Sequence, residues 1–240
     1  SFISLLLNKE QFKIITDDKD YIGKTLHEVL IEKINPYLGK NLEELKVELD
    51  ISYSKGKNAL LVKKMLGLDE KEESFEMKAS NIEIKTIDLG SNNKEHMSFP
   101  HINFVEMSKE KDFYNSEFYN QVSPTFLFVI IDKDDKDNQF LKNTKTYRLK
   151  DNELLEVKKV WKHTLNKIKK GIYDEFMLYE TSRPRLLNRD RNAIAHIRPH
   201  DSKNPKTGKY KPVMTPQGLN KSLKRHCLWF NRDFIDSIIN

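Results

Sequence analysis

The stretch Phe126 to Asp132, Phe-Leu-Phe-Val-Ile-Ile-Asp, constrains the fold more than any other part of the chain. A strand sends successive side chains to opposite faces, so an unbroken apolar run has to be covered on both sides. The run predicts a central strand, and the flanking segments predict its cover. Between Gly23 and Lys46, Leu26, Val29, Leu30, Ile34, Leu42 and Leu45 recur at helical spacing, and Pro36 divides them into two helices. A third helix is expected from Lys57 to Leu66, stopped by Gly67, and a long one from Asp151 to Lys170, stopped by Gly171. Further strands are expected at Phe75 to Lys78, at Asn81 to Leu89, within Ala193 to His200, and from Cys227 into a C-terminal helix. Helices flanking a small mixed sheet make this an α/β chain.

Composition narrows the classes. The 240 residues can bury a sizeable core. No apolar run approaches the ~20 residues of a membrane span, so no membrane partner is expected. Phe2 to Leu7 is too short for a signal-peptide core, and the lone Cys227 fits a reducing, cytoplasmic setting without an intramolecular disulfide. The net charge of +6 is unevenly spread. From Thr181 to Asn240 there are 13 Lys or Arg against 4 Asp or Glu, a net of +9 that leaves −3 for the preceding residues. A basic quarter on a slightly acidic body fits a polyanion-binding surface, and a solvated basic face is the alternative. His96, His101, His163, His196 and His226 show no metal-ligand spacing and are assigned no site.

Chemistry-bearing residues gather between Glu73 and Gly90. On the strand expected there, Glu83 and Lys85 share one face while Ile82 and Ile84 take the other. A turn at Ala79–Ser80–Asn81 would fold the Phe75 to Lys78 strand back and bring Glu76 beside them. Two carboxylates that hold Mg²⁺ and an ammonium that balances developing charge are what phosphodiester hydrolysis needs. A solvated cross-strand ion pair is the simpler reading, because Glu-x-Lys recurs at Glu44, Glu76 and Glu156.

Four stretches, KGKNALLVKKMLG, FEMKASNIEIKTIDL, HIRPH and GLNKSLKRHCLWFNRDFIDSII, come in the same order as the landmarks of the MutH-like nucleases, which the chain resembles from Leu38 to Asn240. The resemblance implies a restriction-endonuclease-like fold, Mg²⁺-dependent cleavage and recognition of GATC. It also assigns residues 1–37 to a helical segment or linker and 38–240 to the MutH-like domain. Departures from the family pattern point to a dismantled centre. Glu83 and Lys85 match it, but Glu76 stands where the family has Asp, and Lys63 stands where a helix carboxylate faces the metal. At ~5 Å and an effective dielectric of ~20, that lysine would oppose each unit of metal charge by about 3 kcal/mol. A further family lysine falls near Pro124 or Thr125.

The basic quarter retains candidates for DNA contact. Arg198 precedes Pro199, whose ring keeps the backbone before it extended, and arginine is the usual bidentate reader of guanine. His200 can donate to a base edge or phosphate. Lys203, Lys206, Lys209 and Lys211 punctuate a loop suited to phosphates, and Lys55 and Lys57 flank a helix entrance where the family approaches the backbone. Trp229 falls where a relative approaches the recognised adenine; a core aromatic is its other reading. Arg183, Arg185, Arg189 and Arg191 have no family counterpart.

The resemblance lies nearest the C-terminal half of a Sau-three-A-I-type restriction endonuclease. The expectation is a fragment, starting at Ser1 rather than Met, that binds a second double-stranded GATC site as allosteric effector. It would need no cofactor of its own and would serve an N-terminal, Mg²⁺-dependent catalytic domain of the same chain. An active Mg²⁺ endonuclease using Glu76, Glu83 and Lys85, or a sequence-indifferent nucleic-acid binder, are the alternatives.

Overall fold

The computed structural model describes residues 12–51, 57–89, 97–173, 176, 192–208, 210–221 and 223–240. In chain order the elements begin with β1 (Phe12–Lys13), α1 (Leu26–Ile34), α2 (Leu42–Glu48), α3 (Lys57–Met65), β2 (Glu73–Ser74), α4 (Phe75–Ala79) and β3 (Ile82–Asp88). Next come β4 (Met97–His101), α5 (Phe104–Lys109), α6 (Glu117–Val122), β5 (Thr125–Lys133), β6 (Gln139–Tyr147) and α7 (Asp151–Lys170). The remainder are β7 (Ala195–Pro199), β8 (Val213–Thr215), β9 (Gly218–Asn220), β10 (His226–Phe230) and α8 (Arg232–Ile239). The whole is mixed α/β, with small mixed and antiparallel sheets flanked by helices.

The chain divides into two compact units whose segments interleave. The first takes residues 1–94 and 124–148 and is built on a sheet of order β3-β5-β6. The apolar run is β5, central as its sequence requires: parallel to β3, antiparallel to β6 and buried on both faces. Leu127, Val129 and Ile131 share one core with Leu30 and Ile34 of α1, Leu42 and Leu45 of α2, and Leu61, Val62 and Met65 of α3. Helix α1 is thus part of the same core as the helices and strands that follow it.

The second unit takes residues 95–123 and 149–238. Its sheet, β4-β10-β7, is antiparallel, with β10 in the middle. Helix α7 packs on α5, α6 and β7 through its buried stripe of Val157, Val160, Trp161, Leu165 and Ile168. Gly171 ends α7 in the left-handed region (φ 67°), a conformation costly for a residue with a Cβ.

One expected strand is not a strand. Phe75 to Lys78 lies in helix α4, where Ser74 caps the first turn by accepting from the Met77 amide at 3.2 Å. A serine before a short run with an acid in its first turn favours a helix start over a strand, and that local chemistry outweighs the apolar alternation. The hairpin expected to fold Glu76 against Glu83 is therefore replaced by a helix packed on β3.

Candidate nucleic-acid interface and the acidic strand

Glu83 and Lys85 lie on β3, on one face as the alternation requires, and pair at 2.6 Å. Glu76 comes from α4 instead. Its Oε1 accepts from the Ile15 amide (2.8 Å), the Thr16 amide (3.0 Å) and Thr16 Oγ1 (2.8 Å), and its Oε2 accepts from Ser74 Oγ (2.8 Å). Partial burial works to raise its pKa, but donors from its own backbone, Ser74, Thr16 and Ile15 outweigh burial and hold it below the ordinary 4.5. The carboxylate thus clasps residues 15–16 onto α4. Lys63, late in α3, donates from Nζ to the carbonyls of Glu70 and Glu72, both at 2.8 Å, and so satisfies the loop between α3 and β2.

These positions test the fit of Mg²⁺. A hydrated Mg²⁺ takes carboxylate oxygens that are free to face it. Here one acid has both oxygens engaged by donors and the other is paired with an ammonium. As arranged, these residues do not fit the ion.

The second unit gathers most of the residues expected to meet DNA. Arg198 is exposed on β7, and Pro199 follows it to end the strand. In the register Arg198 and Cys227 are partners, which places Arg198 on the same sheet face as Trp229, two residues along β10. The guanidinium lies 5.3 Å from the Trp229 ring, a cation–π arrangement that orders a long side chain before any ligand arrives. His200 stands edge-on to the same ring, with centroids 5.1 Å apart. Trp229 itself is 7% exposed, so it serves as the buried platform under Arg198 and His200 rather than as an open stacking surface.

The basic loop has an organisation that sequence spacing does not reveal. Asp201 is the sole acidic residue from Pro199 to Arg225, against seven Lys or Arg. Its side chain is fully buried and held by Arg225, with Nε at 3.1 Å and Nη2 at 2.5 Å from one oxygen. Burial alone would raise its pKa; the Arg225 hydrogen bonds overcome that and keep it ionised below the usual range. The one negative charge of the loop is thus withdrawn from its surface. Lys203, Lys206 and Lys211 remain exposed, and Tyr210 carries Lys203 and Lys224 over its ring at 5.7 and 4.0 Å. Lys55 and Lys209, with Arg183, Arg185, Arg189 and Arg191, lie outside the described residues, as does the side chain of Lys57 at the start of α3.

A second grouping went unread in the sequence. A ring nitrogen of His101, one of His200, and the Cys227 sulfur lie within 4.8 Å of one another. No local spacing announces it, because the members come from three strands or strand ends. Burial pushes the Cys227 thiol up to about 12.

Compared with models of known protein families and with curated protein sequences, the chain matches none. No described helix is long and apolar enough to cross a membrane.

Proposed function

We propose that this chain has a restriction-endonuclease-like, MutH-like fold and acts as the DNA-holding, non-cutting half of a type IIE restriction endonuclease. It binds a second double-stranded GATC site as allosteric effector, and an N-terminal catalytic domain of the same polypeptide, with Mg²⁺, cuts. The observation that carries the reading is the stretch from Pro199 to Arg225: beside it an exposed arginine set on an aromatic platform, and within it a loop whose only acid is buried against Arg225. Such a face offers one directional donor for a base edge and several diffuse charges for phosphates, the division of labour in duplex recognition. The engaged carboxylate of Glu76 and the Glu83–Lys85 pair support the non-cutting half of the reading. Occupancy of the site favours a cutting-competent arrangement only by as much as that arrangement binds DNA better.

Incubation of the chain with a GATC duplex in Mg²⁺ or Mn²⁺ tests the non-cutting half. No cleavage above background is expected. Cleavage that disappears in Glu83→Ala would make the chain an endonuclease in its own right and overturn the effector reading.

A further inference from the structure

The sheet of the second unit does more than carry Arg198. Cys227 sits in the middle strand β10; across one ladder its partner is His101, the last residue of β4, and across the other it is Arg198 of β7. Partners across a ladder share a face, and so does the residue two further along. His200, two beyond Arg198, therefore falls on the same face as His101 and Cys227. The topology thus delivers two imidazoles and a thiol to one point from positions 101, 200 and 227.

We propose that His101, His200 and Cys227 form a binding site for a thiophilic transition-metal ion of the Zn²⁺ class. Three geometric facts support it. The Cys227 sulfur lies 3.6 Å from His200 Nδ1. With Zn–S of about 2.3 Å and Zn–N of about 2.0 Å, the sulfur-to-nitrogen edge of a tetrahedral site is about 3.5 Å, so this pair already stands at coordination spacing. One ring nitrogen of each histidine and the sulfur fall within 4.8 Å of one another, a spread that modest rotations of the exposed imidazoles would close. Finally, His101 Nε2 lies 2.6 Å from the His200 carbonyl oxygen. A carbonyl only accepts, so Nε2 is the donor there, and a metal would take the other ring nitrogen, Nδ1. Metal-bound histidines commonly donate their second N–H to just such an acceptor.

The ligand set decides the metal. One sulfur and two imidazole nitrogens suit Zn²⁺ and its neighbours and are poor ligands for Mg²⁺ or Ca²⁺, which take oxygen. Cys227 is fully buried and the histidines are exposed, so the ion would have protein on the sulfur side and water on the other, with a fourth position for solvent. Burial keeps the free thiol protonated, but coordination itself displaces a thiol proton and releases it to solvent. Bound metal would cross-brace the ends of three strands and fix His200, which stands beside the Trp229 ring. The proposal does not depend on what the neighbouring basic face binds.

The test uses the full chain, stripped with a chelator and titrated with Co²⁺ as a coloured stand-in for Zn²⁺. One equivalent should bind with thiolate-to-cobalt charge-transfer absorption and the visible bands of a tetrahedral ion, and Zn²⁺ should displace it. Cys227→Ser should abolish the charge-transfer band. His101→Gln and His200→Gln, which alter exposed side chains and leave the core intact, should each weaken binding roughly tenfold or more, the scale that even outer-shell losses reach. At equal metal concentration, Zn²⁺ should raise the melting temperature of the wild-type chain more than that of the histidine variants. No charge-transfer band in the wild-type chain overturns the site. So does a band that survives in Cys227→Ser, or Co²⁺ affinity that both histidine variants retain.

Discussion

In the proposed contact with DNA, Arg198 and the lysines beyond it in the chain would do different physical work, and single substitutions separate them. An arginine ordered over Trp229 reads by direction, so Arg198→Ala should cost about 1–3 kcal/mol of binding and relax base preference. An exposed lysine contributes through counterion release. Lys203→Ala or Lys206→Ala should weaken all duplexes alike and reduce the salt slope by about 1. Competition binding at two ionic strengths distinguishes the outcomes; unchanged GATC discrimination in Arg198→Ala would remove it as the reader. Glu76 makes a prediction about stability rather than binding. Its carboxylate ties residues 15 and 16 to α4, so Glu76→Ala should cost about 1–3 kcal/mol in urea unfolding. Because its folded pKa is lowered, the contribution is fully present above about pH 4.5 and is lost as pH falls through the folded value. Wild type and variant should therefore converge in acid; a constant gap would show that ionisation of Glu76 is not what stabilises. The acid-acid-lysine pattern was legible as residue types in the sequence, but its geometry was not. Whether a carboxylate is free or engaged depends on partners 60 and 61 positions away, which no local pattern encodes.

At the scale of elements, what the sequence exposed was whatever carried strong periodicity or strong punctuation. Helix α7 and central strand β5 were readable because one has a clean apolar stripe closed by glycine and the other an unbroken apolar run. Strand β6, Gln-Phe-Leu-Lys-Asn-Thr-Lys-Thr-Tyr, was not, since its polar residues pair with β5 through the backbone rather than through a core-facing pattern. Helix α4 was misread because its five residues are too few to show a period, leaving the Ser74 cap as the one informative signal. The end of α7 gives a test at this scale. Gly171→Ala forces a Cβ into the left-handed region and places it 3.3 Å from Gln217 Cδ, a flexible side chain that can yield. The backbone term should dominate at about 1–2 kcal/mol, read as a lower urea midpoint with the slope unchanged. An unchanged midpoint would mean that α7 frays before Gly171 matters.

Across the whole molecule, charge is the property that the sequence displayed most openly and the structure sharpened most. The excess of basic residues after Thr181 was countable; that Asp201 is buried against Arg225, leaving the Pro199–Arg225 stretch cationic at its surface, required the fold. The same holds for His101, His200 and Cys227, which only a three-stranded register unites. The acidic strand and the basic loop belong to different compact units. The proposed reading therefore lets the chain keep a grip on DNA through one unit without cutting through the other. Binding of the intact chain to a GATC duplex and to a scrambled duplex of equal length, at low and at physiological salt without divalent metal, tests that claim most directly. The GATC duplex should bind more tightly at both salts, with a preference that persists as overall affinity falls. Equal affinity for the two duplexes would contradict it and leave a sequence-indifferent polyanion binder.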